Sequence, residues 1–278
     1  MIKGDHGLTN KDLQNIFNRT RDVSWNEYRD DTQAAVDNVE VIEAPIEDIQ
    51  FMPHPIMPNK NMHVSVVDGG TAEIGMQYAR KGLKVAVLNF ADAITPGGLV
   101  VIGAPTQEEN LCRCSNLYET LLADKCQKNY YIKNVNYSNK YISELRGVYT
   151  DTLIYSNAVL FFRDDATYEY VEPVYMDVIT CPAPSVRLSE DDAEKIIDYR
   201  AEFIVKSAAL HRVDVLVLGA WGCGAFGQSP EIVSKAFNKA ICKYKAFDSV
   251  IFAIRKCRAD SDKADFTKSI FQNNIQEN

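Results

Sequence analysis

The stretch that decides the fold follows a short apolar run and reads Asn89-Phe90-Ala91-Asp92-Ala93-Ile94-Thr95-Pro96-Gly97-Gly98, ending in Thr106-Gln107-Glu108-Glu109. A second stretch of the same kind reads Gly219-Ala220-Trp221-Gly222-Cys223-Gly224-Ala225-Phe226-Gly227-Gln228-Ser229. Each follows a run that predicts a buried strand, and each opens a helical pattern. Strand, loop and helix in this order predict an α/β fold, in which ligands bind at the carboxyl ends of the strands. We therefore expect these two loops to line one crevice.

The same alternation of short buried strands and helices continues from His63 to Ile254. It predicts a three-layer α/β/α domain with a mixed central sheet. Within it we expect one helix from Gln107 to about Lys125. The apolar runs Leu153–Tyr155 and Val159–Phe162 predict a hairpin or two edge strands, because Ser156-Asn157-Ala158 separates them.

The first sixty residues have a different pattern. Thr9 is placed to cap a helix that runs towards Thr20, and a second helical stretch covers about Trp25 to Asn38. Three prolines between Phe51 and Asn59 then predict an extended connector. We therefore predict a helical N-terminal extension at residues 1–60, packed on a main domain at residues 61–278.

Composition limits the classes of function. The chain has 278 residues and a formal net charge of −8, and it lacks a basic stripe, which argues against bulk nucleic-acid binding. Its seven cysteines are an odd number without a C-x-x-C pair, so a zinc knuckle and a disulfide framework are both disfavoured. No run approaches the roughly 18 apolar residues of a membrane span. We predict a cytoplasmic protein with neither a membrane segment nor a resident metal or cofactor.

The second loop satisfies the pattern G-x-G-x-x-G between Gly222 and Gly227. Backbone N–H groups in such a loop, together with the helix after Pro230, can bind a diphosphate. Gln228 stands where a phosphate-binding loop of nucleotide hydrolases has lysine, so hydrolysis of a nucleoside triphosphate is disfavoured. An NADP-dependent enzyme is a weaker alternative, because few residues remain to build the rest of a dinucleotide fold. A tight turn without any ligand is also compatible with these glycines.

The carboxylate pair Glu108 and Glu109 permits two interpretations. Thr106 and Glu109 have the spacing of a capping box, in which Glu109 would only satisfy backbone donors at the start of a helix. Alternatively, the pair carries out acid–base chemistry. The glycines of the preceding loop favour the second interpretation, because they let a ligand approach the backbone closely.

These residues resemble those of the bacterial-type poly(ADP-ribose) glycohydrolases of the macrodomain superfamily. The resemblance rests on Val87–Ala91, Pro96-Gly97-Gly98, Gly103-Ala104 and Gln107–Arg113, and on a second motif at Leu218–Gly227. It covers about Met62 to Ile254. It implies a macrodomain fold and a ligand that contains ADP-ribose, either free or attached to a protein.

The resemblance also implies a role for each candidate residue. Glu109 matches the catalytic acid and base, and Glu108 matches the neighbour that holds the reacting ribose hydroxyls, with Gln107 in support. Asn89 and the glycines Gly97 and Gly98 match contacts to the distal ribose. The diphosphate loop is matched by Gly222, Cys223, Gly224, Ala225, Phe226 and Gly227.

One position departs from the family pattern, since its third glycine is Leu99 here. If that glycine needs a positive φ, leucine would be strained by about 1–2 kcal/mol. The sequence therefore predicts an ADP-ribosyl glycohydrolase acting on poly(ADP-ribose) or on ADP-ribose attached to protein, with a catalytically weak ADP-ribose-binding module as the alternative. It does not predict the oligomeric state.

Overall fold

A computed structural model describes residues 7–44, 58–59, 61–140, 149–184, 189–256 and 261–275. Its strands form one seven-stranded sheet with the order β1-β4-β5-β3-β6-β7-β2. In chain order the strands are β1 Glu40–Glu43, β2 His63–Val67, β3 Val85–Phe90, β4 Thr152–Arg163, β5 Tyr170–Cys181, β6 Val215–Leu218 and β7 Ser249–Ala253. The pairs β1–β4 and β4–β5 are antiparallel and the other pairs are parallel, so the predicted mixed sheet is confirmed.

Helices cover both faces of this sheet. In the described residues they are α1 Asn10–Asn26, α2 Arg29–Asn38, α3 Thr71–Ala79, α4 Gln107–Cys114, α5 Leu117–Leu121, α6 Asp124–Cys126, α7 Ile132–Lys140, α8 Glu190–Leu210, α9 Pro230–Tyr244 and α10 Ser261–Asn274. A 3₁₀ turn spans Val100–Ile102, and a π-helical turn spans Gln127–Tyr131.

The alternation of side chains along the central strands separates two apolar cores. Val85 and Val87 of β3 belong to the core that contains Phe17 of α1 and Leu111 of α4. Their neighbours Ala86 and Leu88 belong to the other core, which is formed with α8, α9 and α10. Strands that are buried on both faces read as continuous apolar runs, which is why the sequence identified them. The three-layer α/β/α arrangement is therefore confirmed.

The predicted helix from Gln107 to about Lys125 was wrong, because it is broken at Ser115 and Asn116. The Ser115 hydroxyl donates to the Leu111 carbonyl at 2.7 Å, and Ser115 itself is extended and bridges to Phe161. The side chain of Asn116 accepts a hydrogen bond from Leu160 N–H at 2.9 Å. Serine and asparagine often replace helical hydrogen bonds with such local ones.

The two short strands predicted around Ser156-Asn157-Ala158 are one continuous strand, β4. Its register against β5 shifts between Ser156 and Val159, and Ala158 has a φ of 51°. The separating residues therefore form a bulge rather than a loop. β4 also lies between β1 and β5, so it is not an edge strand.

The N-terminal residues contribute a strand to the sheet as well as two helices. Thr9 caps α1 as predicted, and α1 runs on to Asn26 before α2 begins at Arg29. The sequence analysis missed β1, which pairs with β4 at the edge of the sheet. The proline connector lies outside the described residues except for Pro58 and Asn59. The division into residues 1–60 and 61–278 stays a prediction, and we propose that β1 is part of the main domain.

Candidate active site

A cavity of about 620 Å³ opens at the carboxyl ends of the parallel strands. Both glycine loops line it, which confirms the expectation that they share one crevice. Nine of the predicted site residues line this cavity: Gly98, Gln107, Glu108, Glu109, Gly222, Cys223, Gly224, Ala225 and Phe226. Asn89, Gly97 and Gly227 do not line it; the first two are buried and Gly227 is exposed.

Glu109 is held at the cavity by the loop before it. Its carboxylate accepts a hydrogen bond from Leu99 N–H at 2.8 Å and another from the Thr106 hydroxyl. The side chain is only 4% exposed. Thr106 is the N-cap of α4 but its side chain accepts no hydrogen bond from the helix, so the capping box does not form. Glu109 is therefore oriented towards the loop rather than used to cap the helix.

Glu108 is buried beside it in a different set of contacts. Its carboxylate accepts hydrogen bonds from Asp92 N–H at 2.7 Å and from the Asn89 amide at 3.2 Å. Burial raises the pKa of Glu108 well above its ordinary value, and the neighbouring Glu109 carboxylate raises it further. The two hydrogen bonds act against this shift by stabilising the charged form.

Asn89 and Gln107 connect the carboxylates to strand β3. Asn89 is fully buried, and its Oδ1 atom has no partner among the described residues. The Gln107 amide donates to the Leu88 carbonyl and the Thr71 hydroxyl, both at 2.8 Å, while its oxygen accepts from Phe90 N–H. Gln107 thus fixes the start of α4 against the end of β3, and its role in holding the ribose stays a prediction.

Gly98 occupies a position that only glycine can take without rearrangement. Its φ is +58°, and a side chain there would begin 2.5 Å from Glu109 Oε1 and 3.1 Å from Glu108 Oε2. Gly97 also has a positive φ, of +67°. Leu99 has a φ of −100°, so the strain that we considered for leucine at this position is absent.

The second loop wraps tightly around Gly222. A side chain on this glycine, whose φ is +77°, would begin 2.6 Å from Ala183 Cβ. Gln228 turns inward and donates to the Pro184 carbonyl at 2.7 Å. By contrast, the N–H groups of Gly224, Ala225 and Phe226 make no hydrogen bond to the described residues, so they are free to bind an anion. Burial raises the pKa of Cys223 to about 12, which leaves a protonated thiol there.

The sequence analysis missed the hairpin tip between β4 and β5, which also reaches the cavity. Asp165 is buried and forms an ion pair with Arg255, with 2.7 Å between Asp165 Oδ2 and Arg255 Nη2. It also accepts hydrogen bonds from Glu73 N–H and the Asn110 amide. Tyr168 lines the same region with a φ of +60°. The available signal was Asp164, whose side chain accepts the N–H groups of a turn that points Asp165 inward.

A metal site is not evident in the described parts of the chain, where no group of three or more His, Cys, Asp or Glu side chains is placed to hold an ion. The same residues include no helix that is long and apolar enough to cross a membrane. The expectation that the protein has no resident metal or cofactor stays a prediction.

Comparison with known protein families identifies the family to which the chain belongs. The catalytic domain of microbial-type PARG matches residues 9–164, which is more than half of the chain and includes both carboxylates. The chain belongs to the microbial-type PARG family. PARG stands for poly(ADP-ribose) glycohydrolase in the names of its solved relatives. The predicted family is thereby confirmed, and the NADP-dependent alternative is no longer needed.

Solved PARG structures match over nearly the whole chain. The enzyme from Deinococcus radiodurans, in complex with ADP-ribose, is 29% identical with a TM-score of 0.75, covering 88% of this chain and 96% of that one. The enzyme from Thermomonospora curvata is 25% identical with a TM-score of 0.79, covering 95% and 99%. The Thermomonospora enzyme has also been solved with the inhibitor ADP-HPD, with a TM-score of 0.77. None of the curated protein sequences compared with the chain matches it.

Proposed function

We propose that this chain is an ADP-ribosyl glycohydrolase that releases ADP-ribose by hydrolysing O-glycosidic bonds. The observation that carries the proposal is the placement of Glu109, a buried carboxylate held at the cavity by Leu99 N–H and the Thr106 hydroxyl. A glutamate that only capped α4 would not need the contact from Leu99 N–H, which comes from the preceding loop. The names of the solved relatives, which are poly(ADP-ribose) glycohydrolases, support the same function.

In the proposed reaction Glu109 acts first as an acid and then as a base. It protonates the oxygen that links the ribose to the leaving group, and the glycosidic bond breaks with an oxocarbenium-like transition state. Glu109 then removes a proton from the water that attacks the ribose carbon. Glu108 binds the ribose hydroxyls, and the unpartnered Oδ1 of Asn89 is available to accept from one of them.

The second loop would bind the diphosphate of the same ligand. Its unpaired N–H groups belong to residues that line the same cavity as the carboxylates, and Phe226 forms part of the wall. Backbone donors bind an anion without a metal ion, which fits the absence of lysine from this loop. The occupant that we propose is therefore ADP-ribose, either at the end of a polymer or attached to a protein.

The alternative function is a binding module that holds ADP-ribose without efficient turnover. Two sequence arguments favoured it: backbone strain at Leu99, which the φ of −100° removes, and the bulk of the leucine side chain beside the distal ribose, which stays a prediction. The cytoplasmic location and the binding of ADP-ribosylated proteins stay predictions at this point.

The test is the variant Glu109→Gln, which keeps the shape of the side chain but cannot donate a carboxyl proton. We expect turnover to fall by at least about 10²-fold, the usual scale of general acid–base catalysis, with little change in ADP-ribose affinity. The matched control is Glu194→Gln, because Glu194 is an exposed glutamate of α8 that does not line the cavity. Release of ADP-ribose and the melting temperature are measured on the same samples. Unchanged turnover per folded molecule in Glu109→Gln would show that Glu109 is not the acid.

A further inference from the structure

The two oxygen atoms of the Glu109 carboxylate lie in different surroundings. Oε1 accepts the hydrogen bond from Leu99 N–H, and the Gly98 backbone covers it so closely that a side chain on Gly98 would begin 2.5 Å away. Oε2 is bonded instead to the hydroxyl of Thr106, a residue that lines the cavity. The backbone of the loop therefore occupies Oε1, which leaves Oε2 as the oxygen that can face a substrate.

The partners of these two oxygens also differ in chemistry. A backbone N–H can only donate, so Oε1 of Glu109 remains an acceptor whether the carboxyl group is ionised or protonated. A hydroxyl both donates and accepts, and its hydrogen turns to suit its partner. The Thr106 hydroxyl can thus accept from protonated Oε2 and donate to Oε2 once the proton has left. The proton that Glu109 transfers is accordingly placed on Oε2.

Thr106 is held in place by α4, but the helix does not use its hydroxyl. Its carbonyl accepts a hydrogen bond from Asn110 N–H at 2.9 Å, so its backbone belongs to the first turn. Its side chain accepts no hydrogen bond from α4, and the residue is exposed where it lines the cavity. Capping of the helix therefore does not explain the hydroxyl, whereas the contact with Glu109 does.

The hydrogen bond from Thr106 should become stronger during the reaction. As Glu109 loses its proton, negative charge develops on Oε2, and hydrogen bonds to charged groups are about twice as strong as those between neutral groups. Only an interaction that strengthens in the transition state increases the rate of the chemical step. Water is poorly placed to replace the hydroxyl, because Glu109 is only 4% exposed and a bound substrate would cover the cavity.

We propose that Thr106 is a positioning residue that holds Oε2 of Glu109, the oxygen that carries the transferred proton, in both of its protonation states. The inference rests on the proposed glycohydrolase function. In the first step the Oε2–H bond breaks and its proton moves to the glycosidic oxygen, while the bond from that oxygen to the ribose carbon breaks and its electron pair stays on the oxygen. Water then adds to the ribose carbon and returns a proton to Oε2. Thr106 gives up no atom in either step.

The experiment compares Thr106→Val, which keeps the shape of the side chain without its hydroxyl, with Thr106→Ser, which restores a hydroxyl. Release of ADP-ribose from poly(ADP-ribose) is measured with the full chain. We expect kcat of Thr106→Val to fall on the order of tenfold, the scale of one hydrogen bond to a charged group, with KM and ADP-ribose affinity unchanged. Thr106→Ser should recover most of the loss, because its hydroxyl has the same donor and acceptor capacity.

The matched control is Thr95→Val, the same substitution at an exposed threonine of the same loop that does not line the cavity. It should have the kcat of the parent protein. The melting temperature of Thr106→Val should also match that of the parent, because the hydroxyl satisfies no backbone donor of α4.

A second substrate separates proton transfer from other effects of the hydroxyl. ADP-ribose that bears a 4-nitrophenoxy group on the same ribose carbon has a leaving group that departs without being protonated. The loss in Thr106→Val should nearly disappear on this substrate, because a general acid contributes little when the leaving group is already stable as an anion.

The outcomes separate this inference from the proposed function. If the parent protein releases ADP-ribose from neither substrate, the glycohydrolase proposal is wrong and this inference falls with it. If the parent is active, the inference is overturned when Thr106→Val matches it on the polymer, when the loss lies in KM alone, or when the loss is equal on both substrates. Turnover in Thr106→Ser as slow as in Thr106→Val would overturn it too. A large fall in the melting temperature of Thr106→Val would assign the hydroxyl to capping instead.

Discussion

At the scale of single residues, the loop before α4 can hold the Glu109 carboxylate because two of its residues are glycines, which have no side chain. Gly98 leaves room for two carboxylate groups that approach its Cα from the same side. Gly97 and Gly98 both adopt a positive φ, which turns the chain so that Leu99 N–H points at Glu109. The acid is therefore held by backbone geometry, and the side chain of the next residue is left free to vary.

Gly98→Ala should damage catalysis far more than stability. The new methyl group would begin 2.5 Å from Glu109 Oε1 and would displace that carboxylate. A displacement of about 1 Å in an active site can lower turnover about 10²-fold. The control is Gly82→Ala, since Gly82 has a similar φ of +82° but nothing within 4 Å of the added group. Both variants should lose about 1–2 kcal/mol of stability, and equal turnover in the two would contradict the steric argument.

Glu108 should make stability depend on pH. Its pKa is raised in the folded state from an ordinary value of 4.5, so above pH 4.5 the unfolded chain releases a proton that the folded protein retains. The stability contributed by this proton is complete below pH 4.5 and is lost as the pH rises through the folded pKa. Urea unfolding of the parent and of Glu108→Gln over this range gives the difference between the two. That difference should fall as the pH rises, by at most about 1.4 kcal/mol per unit, and a constant difference would refute the raised pKa.

At the scale of elements, two parts of the chain that are remote in sequence complete the cavity. The tip of the β4–β5 hairpin brings Asp165 to the first turn of α3, and α10 brings Lys263 to the second loop. Neither segment carries a sequence motif that is typical of ligand binding. Their functional positions follow from packing, which a local pattern does not encode.

Lys263 should contribute to binding through its charge. ADP-ribose carries two negative charges, and Lys263 is an exposed cation on the cavity wall. Lys263→Ala should weaken ADP-ribose binding by several-fold at low salt, and less at high salt because exposed charges are screened. Lys268→Ala is the matched control, because Lys268 is on the same helix but does not line the cavity. Calorimetric titrations at two ionic strengths decide the matter, and equal affinities for the two variants would exclude the contact.

Asp165 should be one of the most costly side chains to remove. Asp165→Ala would leave Arg255 and the Glu73 N–H without their buried partner, at a cost of about 3 kcal/mol. Asp192→Ala instead breaks an exposed pair with Lys195 and a hydrogen bond from the Ser189 hydroxyl at the start of α8, where about 1 kcal/mol or less is expected. Denaturant midpoints of the two variants test the difference. A loss at Asp165 as small as that at Asp192 would show that the hairpin tip is not anchored by this carboxylate.

At the scale of the whole molecule, the sequence predicted the layers, the parallel strands and the two loops because each is a local pattern. The buried strands are visible in the sequence as apolar runs, and the glycine motifs mark the two loops that follow β3 and β6. It did not predict β1, the break at Ser115 or the role of Asp165, because each depends on a partner that is distant in sequence. The capping box at Thr106 and Glu109 had the right spacing, but contacts from Leu99 and the loop took its place.

The complete cavity should bind ADP-ribose without a metal ion. Binding to the folded state alone stabilises a protein by about 2.7 kcal/mol when the ligand is present at 100 times its Kd. We therefore expect ADP-ribose to raise the melting temperature equally with and without EDTA. Loss of the shift in EDTA would mean that a metal ion takes part in binding.

The order of the strands has a consequence for how the protein is made on the ribosome. β1 and β2 are neighbours in the chain but lie at opposite edges of the sheet, and His63 of β2 pairs with Ser249 of β7. Contacts between such distant residues form slowly, since a long loop must close first. A nascent chain that has reached residue 164 already holds both carboxylates, but it has not yet synthesised the second loop or α10. We expect release of ADP-ribose to begin only after β7 and α10 have been synthesised, because the cavity is incomplete until then.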